Sequence, residues 1–146
     1  MSFQFPLAAV LRYRESLEQQ EYVALEKIQQ EIIQIEMRMR EVADDCSTAV
    51  QNRAAKLAQG IPAAEVEFAY EYLRALEQQR EALRVLLQNA RMQWRQQLAC
   101  YQLARRNRET LEILREKQLN AYNRQRTKRE QAVLDDIFLA RRGRSN

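Results

Sequence analysis

The sequence predicts an all-α protein: a long antiparallel two-helix coiled coil, a helical hairpin, whose second helix overhangs the first. Three observations predict it. Gly60-Ile61-Pro62 is the single breaker between about Leu7 and Arg142 of a 146-residue chain, and the remaining Pro and Gly, Pro6 and Gly143, stand at its two ends. Charged residues make up 30%, with only two Gly and two Pro, a composition typical of long helices and coiled coils. On both sides of the breaker, apolar residues recur at alternating steps of three and four, the spacing of a heptad seam.

The first helix is expected over about residues 7–59. Its seam reads Leu25, Ile28, Ile32, Ile35, Met39, Val42, Cys46 and Ala49. The turn at 60–62 follows from backbone chemistry. Glycine adopts the left-handed conformation that closes a helix, and proline suits a first turn, where a missing N–H costs nothing. Glu65 and Glu67 then set negative charge at the positive end of the next helix. That second helix is expected over about 63–142, with a seam of Val66, Ala69, Leu73, Leu76, Arg80, Leu83, Leu87, Ala90, Trp94, Gln97, Tyr101 and Ala104. Two seams of one period joined by a short turn pack antiparallel with a left-handed supercoil. The whole chain, 1–146, reads as one elongated domain.

Unequal lengths give the hairpin its distinguishing feature. If residues 7–59 pair with roughly 63–115, everything after about Arg115 overhangs as a lone helix of nearly 30 residues, ~40 Å long. Such a helix is marginal in water and is expected to be held by something else. It is also basic: residues 115–146 hold nine Arg and Lys against four acids. Near the turn, Phe68, Tyr70, Tyr72, Leu73 and Leu76 crowd more apolar and aromatic surface than one seam can bury.

Several chemistries lack their usual residues. There is no histidine, the commonest neutral-pH base and metal ligand. Cys46 and Cys100 fall at levels roughly 40 Å apart in the hairpin, beyond the ~7 Å reach of a disulfide and unsuited to a shared zinc site. No glycine-rich phosphate loop is present. Asp44-Asp45 and Asp135-Asp136 are sequence neighbours that splay apart on a helix and read as solvated surface. No apolar run approaches a membrane span, and the amino terminus lacks a secretory core. The expectation is a cytoplasmic protein that acts by contact, without catalysis, cofactor or metal.

The amino-terminal run Phe3-Gln4-Phe5-Pro6-Leu7, followed by Val10, Leu11, Arg12 and Arg14, resembles the F-x-F-x-L and V-L-x-x-R opening of the flagellar export protein FliJ family. Lys128-Arg129-Glu130-Gln131, Leu134-Asp135-Asp136 and Arg141-Arg142 resemble the family's closing stretch, with Asp136 standing where Glu is more usual. The likeness extends over essentially the whole chain. It implies a cytoplasmic, non-catalytic component of the flagellar type III export apparatus, peripherally associated with the inner membrane. The fold implied is a coiled coil similar to the central stalk of rotary ATPases. The partners implied are the hexameric export ATPase and the export gate, a membrane protein whose cytoplasmic domain receives substrates, together with a role in escorting export chaperones.

Residues consistent with these roles can be named. For the ATPase they are Arg124, Arg126, Lys128, Arg129, Arg141 and Arg142, joined by Phe3, Phe5, Leu7 and Leu11 where the first helix begins. Guanidinium groups bind carboxylates in bidentate fashion, and exposed ion pairs are each worth only ~0–1 kcal/mol, which suits contact with several subunits. The competing reading makes each charge a solvated face and makes Phe3 and Phe5 a cap over the open seam. For the gate, the resemblance points to Tyr72 and Leu76, although Leu76 also falls in the seam, where packing competes for it. Trp94 and Tyr101 lie in the seam and read as core.

Three rivals remain on sequence alone. A basic helix could track nucleic-acid phosphates, but Glu116, Glu130, Asp135 and Asp136 interrupt the stripe and no second basic element sets register. A self-associating scaffold could use Tyr70, Tyr72 and the overhang. The same architecture could also serve a virulence injector or a rotary ATPase.

Overall fold

A computed structural model describes residues 2–145. Among them are two helices and no strand: α1, Ala8–Gln59, and α2, Ala63–Arg144, of 52 and 82 residues. Residues 2–7 precede α1 without helical structure. The chain enters the helix through a turn at Pro6 and Leu7, in which the Ala8 N–H donates to the Phe5 carbonyl at 3.1 Å.

The turn between the helices has the expected chemistry. Gly60 has φ +74°, in the left-handed region, and its N–H donates to the Leu57 carbonyl at 3.4 Å. Pro62 stands one residue ahead of α2, and its carbonyl accepts the N–H groups of the third and fourth helical residues, Glu65 at 3.1 Å and Val66 at 3.3 Å. Glu65 lies in the first turn of α2 and Glu67 just beyond it. Lys56 in the last turn of α1 and Arg141, Arg142 and Arg144 in the last turn of α2 oppose the negative helix ends. A Cβ placed on Gly60 meets no atom within 4 Å. Gly60→Ala is therefore expected to cost about 1 kcal/mol through backbone conformation alone, seen as a lower urea midpoint with an unchanged slope.

The chain forms two compact units, Glu21–Tyr101 and a second made of Met1–Gln20 with Gln102–Asn146. In the first, α1 and α2 run antiparallel on either side of the turn. Tyr22 meets Tyr101 with ring centroids 5.8 Å apart, Glu36 accepts from Arg91 at 3.4 Å, and Arg53 lies 4.9 Å over the Tyr70 ring. Every seam position named for α1 is buried or half-buried in this unit. Val42 is wholly inaccessible, and Ile32, Leu87 and Ala90 form a core against which Ile28, Ile35, Met39 and Trp94 pack. In the α2 seam only Arg80 is exposed up to Tyr101. Gln97 is satisfied: its Nε2 donates to the Glu21 carbonyl at 3.1 Å and to the Glu21 carboxylate. Cys46 is half-buried and Cys100 exposed, both as free thiols.

In the other unit the start of the chain is again antiparallel to α2, with Glu18 bound to Arg108 and Phe3 against Tyr122, ring centroids 5.6 Å apart. Phe5 and Leu11 are its buried side chains. The pairing reaches further than the sequence suggests. The non-helical segment 2–7 carries Phe3 to Tyr122, so α2 is covered up to Tyr122 rather than to about Arg115, and residues 123–145 are all exposed.

Candidate partner-binding surfaces

The first candidate surface is the bare end of α2, about 22 residues of helix or ~33 Å. Arg124, Arg126, Lys128, Arg129, Arg141 and Arg142 are all exposed here. Their spacing decides how they face. At ~100° per residue, Arg124, Lys128 and Arg142 fall on one side and Arg126, Arg129 and Arg141 on the other. The positive charge thus surrounds the helix instead of forming one stripe. Arg126 Nε donates to Glu130 at 3.1 Å in an i,i+4 pair with both side chains in solvent, a contact of ~0.3–0.5 kcal/mol that a partner carboxylate readily replaces.

At the base of this bare helix the four amino-terminal candidates divide. Leu7 is exposed and Phe3 half-buried on Tyr122, so both keep open surface. Phe5 and Leu11 are buried at 8% and 9% exposure, and in this conformation they pack within their own unit instead of facing outward. The cap reading describes Phe5, while Phe3 combines a cap contact with an open edge.

The second candidate surface lies near the turn, in the unit Glu21–Tyr101. Phe68, Tyr70 and Tyr72 are exposed while Leu73 and Leu76 are buried, because a strand of aromatics this dense cannot fit a single seam. A shallow groove runs between the helices here, lined by Asn52, Arg53, Lys56, Phe68, Ala69 and Tyr72. Tyr72 is 49% exposed, whereas Leu76, at 7%, belongs to the core and presents little to a partner.

Two features escaped the sequence reading. Arg108 occupies the seam position after Ala104 and is largely covered: Nε and Nη2 donate to the Glu18 carboxylate, and Nη1 donates to Glu112 at 2.6 Å. The Glu18 hydrogen bond holds this guanidinium's pKa above its ordinary value against the opposing effect of burial, with Glu112 adding to it. The other feature is an apolar stripe on the bare end, Val133, Leu134, Ile137 and Phe138, all exposed. Its i, i+1, i+4, i+5 spacing was the available signal, but it lies out of phase with the seam.

Among the described residues no group of three or more His, Cys, Asp or Glu could hold a metal ion, and no helix is long and apolar enough to cross a membrane. The bare, charged end of α2 and the aromatic groove by the turn are the two candidate contact surfaces. The family model described as flagellar FliJ protein matches residues 3–146, and the chain belongs to that family. It is a component of the flagellar protein export apparatus, and its family is a non-catalytic, cytoplasmic one. No curated protein and no solved structure matches the chain.

Proposed function

We propose that this chain is a stalk-like coiled coil that binds the hexameric export ATPase through the bare end of α2, promotes its activity and links it to the export gate. The observation that carries this reading is the exposure of residues 123–145 with positive charge on all sides of the helix. A partner that touches one side of a helix needs charge on that side only; a ring of subunits meets every side. Arg124, Arg126, Lys128, Arg129, Arg141 and Arg142 make the ring contact in this proposal, with Phe3 and Leu7 at its base and Phe5 and Leu11 shaping that base from beneath.

The gate contact falls to the groove by the turn, with Tyr72 as its exposed anchor and Leu76 supporting it from the core. Binding at the gate's cytoplasmic domain would hold the chain peripherally at the inner membrane. Escort of export chaperones would use the same exposed aromatics. Membership in a flagellar family favours this machine over an injector or a rotary ATPase.

The test is charge reversal. Replacing Arg124, Arg126 and Arg129 with Glu leaves the core untouched and is expected to weaken binding to the purified ATPase by at least about tenfold near 0.1 M salt. The difference should shrink as salt screens the contact. Binding of equal strength with the same salt response would place the ATPase contact elsewhere.

A further inference from the structure

The apolar stripe on the bare end of α2 has a symmetry that the export reading does not use. Val133, Leu134, Ile137 and Phe138 are exposed at 56%, 60%, 46% and 64%, and their spacing gathers them on one face of the helix. Glu130 lies three residues before the stripe and Arg141 three residues after it, on that same face. Read backwards, the six positions keep the same spacing, while the charge at each end changes sign.

A helix with this pattern is complementary to a copy of itself running the other way. We propose that the bare ends of two chains pair antiparallel about a two-fold axis level with Asp135 and Asp136, forming a reversible dimer. Val133 of each chain then meets Phe138 of the other, Leu134 meets Ile137, and Glu130 meets Arg141, every contact occurring twice as two-fold symmetry requires. Parallel pairing would set Glu130 against Glu130 and Arg141 against Arg141, so charge selects the antiparallel arrangement. Asp135 and Asp136 lie on the opposite side of the helix at ~100° per residue and stay in solvent. The Arg126–Glu130 bond is exposed, so exchanging it for an intermolecular one costs little.

Charge complementarity favours a second copy of this chain as the occupant, since one segment supplies both the Glu130 and the Arg141 that pair across the two-fold axis. The contact spans about three turns and falls below the ~1,200 Å² of stable interfaces, so the dimer is a weak one that dissociates on dilution. Arg141 is shared with the ATPase contact proposed above, but the test uses the chain alone, so the two readings fail separately.

Sedimentation velocity of the full chain under reducing conditions, over a concentration series, should show a reversible monomer–dimer equilibrium. Ile137→Asp should abolish it. Glu130→Arg and Arg141→Glu should each weaken it about tenfold, because two attractions become two repulsions of ~0–1 kcal/mol apiece. Mixing those two variants, or combining both changes in one chain, should restore association. Helicity by circular dichroism should stay constant across the set, since the altered side chains all lie in solvent. A monomer at every concentration overturns the proposal and leaves the stripe to a different protein. A dimer indifferent to Ile137→Asp also overturns it, as does failure of the mixed and doubly changed samples to recover.

Discussion

A chain ending at Tyr122 is expected to fold as the native hairpin does and to lose the stimulation of the export ATPase proposed for the bare helix. The first half of that expectation follows from burial. None of residues 123–145 is covered, so removing them deletes no core contact, and the Phe3–Tyr122 contact that closes the end of its unit is retained. Unfolding free energy should change by no more than about 0.5 kcal/mol, the range of surface substitutions. The second half follows from charge. Residues 123–146 carry seven Arg and Lys against three acids, which accounts for the whole net +4 of the protein. The shortened chain is neutral overall and has lost the bare helix to which the proposed ATPase contact is assigned. A melting curve paired with an ATPase assay separates the two halves. Full stimulation by the shortened chain would end the assignment of this segment, and a collapsed melt would show that the exposed residues steady the fold in some other way.

Arg108→Ala is expected to destabilise the protein by about 1–3 kcal/mol, the cost of orphaning a largely covered charge. The side chains of Arg108 and Glu18 are only 20% and 16% exposed, and the guanidinium spans Glu18 on the facing segment and Glu112 on its own helix. Removing it leaves the Glu18 carboxylate without its principal donor. Arg108→Lys should recover only part of the loss, because an ammonium cannot reproduce the two-pronged contact while also reaching Glu112. Replacing both partners with Leu should bring most of the stability back, since this position lies in the seam and an apolar pair would fill it. Urea denaturation of the four proteins reads the coupling directly; equal stabilities for Arg108→Ala and the native chain would mean that solvent reaches the pair.

The elements that repeat were legible in the sequence. Both helices, the glycine and proline that part them, and the seam from Leu25 to Ala49 follow from the spacing of apolar residues, and burial follows that spacing position by position. Arg108 was not legible because the search for a seam counts apolar residues. An arginine neutralised by Glu18, 90 positions away in the chain, looks like the end of the pattern when it is its continuation. The extra cover over α2 was missed for a similar reason: residues 2–7 are not helical, so a register counted from helix ends could not include them. On the candidate surfaces, the exposed basic residues and Tyr72 could be named from sequence. The stripe from Val133 to Phe138 could not be found by extending the seam, because without a facing helix nothing holds later apolar residues to the earlier phase.

Charge at a seam position also governs sliding. Were the opening stretch of α1 to slip by one heptad along α2, Leu11 would arrive where Glu18 now receives the guanidinium, and a cation would press against a hydrocarbon with no acceptor. A purely leucine zipper tolerates such a shift; this one resists it. Sliding there is expected to cost the pairing of Glu18 with Arg108, which holds this stretch to a single register.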